Sequence, residues 1–422
     1  MQENTSKLII NFSTILLCLI PLLMITGPFL PDLFLVVILI CTFFLNSFKK
    51  DFLLLKNKYL LFFLLINFVI IIISIFSQNL ISIKSGIFYF RFGFFALAAF
   101  YLIYLNEQII KYLLYIFIII FISLFLDSIY QFYNLENIIG FKYINKNNFR
   151  ITSFFGKDEI LGSYIARFFP LLIFLIIYNK NVNNIRDLNI FILILTIISF
   201  SLVMLSGERT SIALLLLSII FIFFSSIKIR KILVIPIVLS LIIFTISVST
   251  SERLKGRLID STLNQLGFND QSKRIHVFSK TYEGHYVIAY KMFLEKPLFG
   301  HGPKMFRIYC SKKENYYAPN ACTTHPHNFY AQIISETGIF GFIVLFGLFL
   351  TIVLMFLKNL RHQLRFKKQL YSDEAISILA SFFMTLFPFL PSGNFFNNWL
   401  SLIVYYPLGF LIFLIYKKKL YV

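Results

Sequence analysis

The sequence predicts an all-α polytopic membrane protein with about twelve transmembrane helices and one long extramembrane loop. Three observations carry that prediction. Mean hydropathy is +0.81, with 58% hydrophobic and only 14% charged residues, whereas soluble domains run at roughly 45–50% apolar and about 25% charged. Apolar runs of about 20 residues, the length a helix needs to cross hydrocarbon, recur throughout the 422 residues. The short alternating segments of a β-barrel do not appear.

Taken in order, the first six spans fall at about 8–26, 29–47, 59–77, 86–105, 112–133 and 160–178. The other six fall at about 188–205, 211–227, 232–249, 331–357, 374–393 and 398–416. The chain divides into helices one to nine (1–249), a loop region (250–330) and helices ten to twelve (331–422). The first run lacks a small-residue cleavage site after it, so it reads as a retained helix.

The formal charge of +20 invites a nucleic-acid reading. The basic residues, however, punctuate the ends of apolar runs instead of forming one patch, as the positive-inside rule requires. Lys49, Lys50, Lys56, Lys58, Lys228, Arg230, Lys231, Arg361, Arg365, Lys367, Lys368 and Lys417 to Lys419 then mark the cytoplasmic side. Both termini are expected there. The 134–159 and 250–330 segments face outward, into the periplasm of a Gram-negative cell. The longer one carries helical patterning over Tyr286–Phe293.

Charges inside spans are expensive unless paired or hydrated. Arg91, Asp127 and Arg167 are therefore functional candidates, with a structural pair between Asp127 and one arginine as the plainer alternative. Ser206-Gly207-Glu208-Arg209-Thr210 is a tight outer turn that holds Arg209 at the membrane boundary. A guanidinium there suits a phosphate, because its fork donates two parallel hydrogen bonds; the alternative is snorkelling to headgroups. Pro297-Leu298-Phe299-Gly300-His301-Gly302-Pro303 is a rigid irregular turn, with Lys304 and Arg307 after it and Arg274 and His285 before it as further basic candidates.

Cys310 and Cys322 enclose eleven residues of the outer loop. A disulfide there would contribute roughly 2–3 kcal/mol by loop closure; two free thiols are the alternative. Neither cysteine pair has the spacing of a zinc site, and no metal is expected.

The chemistry concentrates at His325-Pro326-His327-Asn328, where a helix begins. Steps of four from Asn328 reach Gln332 and Glu336, so these polar groups share one helical arc behind His327. A helix start depresses an imidazole pKa and favours its neutral, base-competent form. His327, Asn328 and Glu336 are the catalytic candidates.

These residues resemble a family. His327-Asn328, nine residues, then Gly338-Ile339-Phe340-Gly341 resembles the signature of the O-antigen ligase and O-antigen polymerase superfamily. The Ser-Gly-Glu-Arg turn at 206–209, the Pro-Leu-Phe-Gly-His-Gly stretch and Arg150 within Phe149–Gly156 are similar too and follow the same order, with Glu159, Gly162 and Tyr164 continuing the last pattern.

The resemblance implies a type-C membrane glycosyltransferase in the bacterial inner membrane, needing no metal or other cofactor. It would transfer a glycan from an undecaprenyl-diphosphate carrier to an acceptor hydroxyl of lipid A-core, as a ligase. A polymerase would join repeat units instead. On this reading His327 assists deprotonation of the acceptor, and Arg209 and Arg150 hold the diphosphate. The ligases carry a further loop arginine where this chain reads Tyr282-Glu283-Gly284-His285-Tyr286, so His285, Arg307 or Arg274 would have to replace it. A transporter or flippase of lipid-linked glycans is the alternative from another class. Internal repeats that would favour it are not visible by eye.

Overall fold

The computed structural model describes residues 2–49, 54, 57–142, 150–179, 185–268, 278–315 and 317–422. Arg274, a candidate from the sequence, lies outside them.

The helices before the long loop are α1 (Gln2–Leu23), α2 (Phe29–Lys49), α3 (Lys58–Phe76), α4 (Leu80–Ile87), α5 (Phe90–Leu105) and α6 (Gln108–Asn134). They continue with α7 (Leu161–Tyr178), α8 (Ile185–Leu205), α9 (Arg209–Ser225) and α10 (Ile227–Thr250). The loop region folds into α11 (Glu252–Lys255), a π-helical turn (Gly256–Asp260), α12 (Ser261–Gln265), α13 (Lys280–Glu295) and α14 (Phe306–Cys310). The chain then forms α15 (Phe329–Phe366), α16 (Asp373–Thr385) and α17 (Asn398–Tyr416).

Each span read from the sequence overlaps one of these helices, but the span read at 374–393 extends beyond its helix, which ends at Thr385. Among the described residues, ten helical segments are long and apolar enough to cross a membrane. The other two, α9 and α16, are 17 and 13 residues long. This is a multi-pass, all-α membrane protein.

The bundle is built around α7. It is apolar nearly all round, and such a helix is stable only when enclosed; every residue from Leu161 to Ile176 except Ser163 is buried. Helices α6, α8, α9 and α16 pack on it, while α5 packs on α17 and α1 on α2.

Inside a membrane every backbone polar group needs a protein partner. Pro21 has no N–H to give the Leu17 carbonyl one turn back. The Tyr406 hydroxyl of α17 donates to that carbonyl instead, at 2.9 Å.

The intramembrane charges depart from the expected pairing. Asp127 is fully buried, but it accepts from the Ile138 N–H (2.8 Å) and from the Ser153 hydroxyl, with no arginine beside it in these bonds. Gln131 accepts from the Thr152 and Ser153 N–H groups (3.1 and 2.7 Å). Together they hold Ile138, Thr152 and Ser153 down on α6. Arg91 pairs with Asp32 of α2 at 2.9 Å, a partner distant in sequence. Arg167 reaches Ser163 (3.3 Å) and Thr385 (3.2 Å).

Candidate active site

The site lies where the loop region meets the start of α15. A small second core of Ile288, Met292, Phe306 and Tyr309 joins α13 to α14, and Cys310 is joined to Cys322 by a disulfide.

Helix α15 breaks at Gly338, whose φ is +66°. In an unbroken helix the Ile339 N–H would serve the Ser335 carbonyl. Here it donates to the Pro297 carbonyl at 2.9 Å. The freed Ser335 and Glu336 carbonyls accept from the His301 and Gly302 N–H groups, at 3.1 and 2.8 Å. The 297–303 turn therefore plugs the break. Gly300, with φ +65°, must also be a glycine, because a Cβ would lie 2.4 Å from the Glu336 carbonyl carbon.

The polar arc behind His327 has a different use from the one expected. Asn328 caps α15 by accepting from the Tyr330 and Ala331 N–H groups (2.9 and 3.1 Å), and it donates to the Pro388 carbonyl at 2.7 Å. Glu336 has zero exposure and accepts from the Lys304 and Phe306 N–H groups (2.9 and 3.0 Å) and from Gln332 (2.9 Å). Gln332 also donates to Asn394 and accepts from the Phe395 N–H. All three groups thus bond to neighbouring chain segments, and none of them orients the imidazole. They fasten the loop and the α16–α17 connection to α15.

Rings orient His327 instead. Its imidazole centroid is 4.1 Å from that of His325, 5.1 Å from His285, which it stacks on, and 5.6 Å from Tyr282. Its backbone is left-handed (φ +54°), and its carbonyl accepts from the Ser392 N–H at 2.8 Å. A non-glycine residue held in this region costs about 1–3 kcal/mol, so the surroundings must enforce it. His285 and His325 are buried while His327 is partly exposed. No described residue hydrogen-bonds the His327 ring nitrogens. Burial, and then the neighbouring His285, bring its pKa down to about 4.

Two members of the cluster lie within electrostatic range of arginines. Arg209, within range of Tyr282 and Arg150, donates to Thr262 (3.0 Å) and Gln265 (2.7 Å). Arg150 itself pairs with Glu159. Glu208 fixes this turn by accepting from the Gly162 N–H (2.7 Å), the Ser163 N–H (3.2 Å) and the Ser211 hydroxyl (2.9 Å). Gly162 allows that approach, since a Cβ there would lie 2.3 Å from the Ser206 hydroxyl oxygen.

Arg307 is within electrostatic range of His325, Lys304 and Glu336. Its Nε is buried without a hydrogen-bond partner, as is the His325 Nε2. Burial, followed by the nearby Arg307 and Arg91, lowers the Lys304 pKa.

His285 is not placed as a cation. Its Nε2 meets the Asn320 carbonyl at 3.2 Å, and burial lowers its pKa, so it carries the proton on Nε2 as a neutral ring. Tyr282 and His325 were given no role of their own from the sequence. The His-Pro-His triplet was the one available signal for His325.

Residues 191–346 match the model of a family described as O-antigen ligase. Over this stretch, less than half of the chain, the sequence is similar to that family. The matched stretch contains Arg209, His285, Arg307, Cys310, Cys322, His327 and Glu336, while Arg150 precedes it. The family supports glycan transfer of the O-antigen ligase or polymerase type by a membrane enzyme. Among curated proteins no match is found.

Proposed function

We propose that this protein is an O-antigen ligase that moves a glycan from undecaprenyl diphosphate to a hydroxyl of lipid A-core, on the periplasmic face of the inner membrane. One observation carries the reading. His327 is a partly exposed imidazole stacked on His285 beside His325 and Tyr282, and the last two lie within electrostatic range of Arg307 and Arg209 respectively.

The acceptor oxygen attacks the anomeric carbon of the carrier-linked glycan as the bond from that carbon to the diphosphate oxygen breaks. The bonding pair leaves with the diphosphate, and the acceptor proton passes to a His327 ring nitrogen. Direct displacement of this kind inverts the anomeric configuration. Charge builds on the leaving diphosphate, so cations already fixed beside it lower the barrier most. Arrival of the carrier also strengthens the base: the diphosphate's negative charge raises the imidazole pKa from its low resting value. Asn328 and Glu336 act as positioning residues, and Arg307 with Lys304 stands in for the absent loop arginine. The diphosphate already activates the sugar, so the reaction draws on no metal or cofactor.

The carrier's tail needs apolar walls. A cavity of about 340 Å³ lies between α3, α15, α16 and α17, lined by Phe63, Phe329, Leu345, Phe382 and Phe395 among others. Phe329, two residues from His327 in sequence, is among its lining residues, which supports reading this cavity as the groove for the carrier's tail.

Purified protein supplied with carrier-linked polysaccharide and lipid A-core tests the proposal. Formation of glycan-bearing lipid A-core is the expected result. Extension of carrier-linked repeat units without transfer to core makes the protein a polymerase. Movement of carrier-linked glycan across liposomes with no bond transferred makes it a transporter.

A further inference from the structure

At the end of the bundle opposite His327, a cleft of about 930 Å³ opens between the start of α10 and the end of α15. Lys228 and Lys231 line it from α10, Lys367 and Lys368 from the turn after α15, with His362 and Asn189 beside them. No Asp or Glu side chain lines it among the described residues.

The backbone that carries these lysines is rigidly built. Gln369 accepts from the Ile227 N–H at 2.9 Å, and Asn359 accepts from the Leu370 N–H at 2.8 Å. Arg230 donates to the Phe223 and Phe224 carbonyls and to Gln363. Asp373, on the same connection, is held by Ser226 and Gln369. The His362 Nδ1 meets the Lys368 carbonyl at 2.8 Å, and Lys367 closes α15 in a left-handed conformation. Polar side chains thus tie the helix ends together, while the lysines are left facing the cleft.

Lysines scattered at helix ends satisfy the positive-inside rule without any ligand. Four converging on one fixed concavity repel each other, and an anion relieves that repulsion. The apolar surroundings identify its source. Ile190, Ile194, Val234, Ile235 and Leu364 are exposed on the helices that lead away from the cleft, where acyl chains would lie.

We propose that this cleft binds the phosphate headgroup of an anionic phospholipid of the phosphatidylglycerol type, with its chains along α8, α10 and α15. Basic pockets between transmembrane helices on the cytoplasmic side suit such headgroups. The site needs no feature of the glycan-transfer chemistry.

The test is native mass spectrometry of the full-length protein in detergent, titrated with phosphatidylglycerol, phosphatidylcholine or inorganic phosphate. Phosphatidylglycerol is expected to be retained and phosphatidylcholine to bind at least about ten-fold more weakly, with millimolar phosphate displacing neither. The combined Lys228→Gln, Lys231→Gln, Lys367→Gln, Lys368→Gln variant should lose at least about ten-fold in phosphatidylglycerol affinity, and the matching Lys→Arg variant should keep it. Wild-type affinity in the glutamine variant overturns the proposal, as does equal binding of phosphatidylcholine. Equal competition by inorganic phosphate makes it a free-anion site instead. If the glutamine variant does not fold, a photoactivatable phosphatidylglycerol on the wild-type protein decides: label on the α10 start or the 362–370 segment supports the site, and label elsewhere removes it.

Discussion

Gly338 and Leu298 approach so closely that a Cβ on Gly338 would lie 2.2 Å from the Leu298 carbonyl oxygen. This contact joins the long loop to the broken helix whose first turn follows His327. It gives the glycines of two separate motifs one shared reason: each permits the other's backbone to enter.

Gly338→Ala is therefore expected to displace the 297–303 turn and with it Lys304 and Arg307. Positive φ and the clash together should lower stability by about 1–3 kcal/mol or more and remove most transfer activity. Thermal unfolding in detergent and the transfer assay measure both. An unchanged melting temperature with full activity would refute the wedge.

His327→Ala should abolish transfer with membrane insertion intact, while His285→Ala should reduce it by disturbing the ring stack. The pH dependence separates a base from a merely structural ring. Burial lowers the free imidazole's pKa to about 4, below the ordinary value of about 6.5. The neutral base is then present at pH 7 and is lost only as pH falls through that lower value. The acid limb of kcat/KM should sit near it, and the limb of kcat should lie higher because the bound diphosphate favours the imidazolium. An acid limb of kcat/KM near 6.5 would show that the free ring is not desolvated.

Arg209→Ala should cut kcat/KM for carrier-linked glycan by about 10²–10³-fold, the loss typical of one preorganised charge-stabilising group. Arg209→Lys should recover only part, because Arg209 holds Thr262 and Gln265 with two separate nitrogens and a lysine has one. Full activity in the lysine variant would mean that charge alone suffices.

Reduction of Cys310–Cys322, or Cys310→Ser, should destabilise the loop region by roughly 2–3 kcal/mol. Proteolysis between α13 and α15 with and without reductant reads this directly. Equal cleavage rates would leave the bridge without a stabilising role.

The helices were legible because hydropathy largely governs them, but the span read at 331–357 is longer, Phe329–Phe366, and is broken at Gly338, which hydropathy does not show. Arg209 and His327 were legible through tight-turn and helix-start chemistry. Partners set by long-range packing were not. Asp32 and Arg91 are 59 positions apart, and Gln332 meets Asn394 across 62, with no periodicity to link them. The arc formed by Asn328, Gln332 and Glu336 was read correctly as one face, yet its direction relative to His327 depended on the loop that plugs the break. The Tyr282–His327 neighbourhood depended on α13 docking against α15, a tertiary event.

The Tyr406 bond to the Leu17 carbonyl bears on how the molecule is made. Helix α1 enters the membrane hundreds of residues before α17 is synthesised, and until then its proline-exposed carbonyl lacks the tyrosine that serves it in the finished bundle. Asp32 likewise waits for Asn398, and the Met24 carbonyl for Trp399. These groups of the earliest helices therefore gain their partners only when α17 arrives. A chain halted before α17 would display them unmet within the bilayer, where no water can take the partner's place.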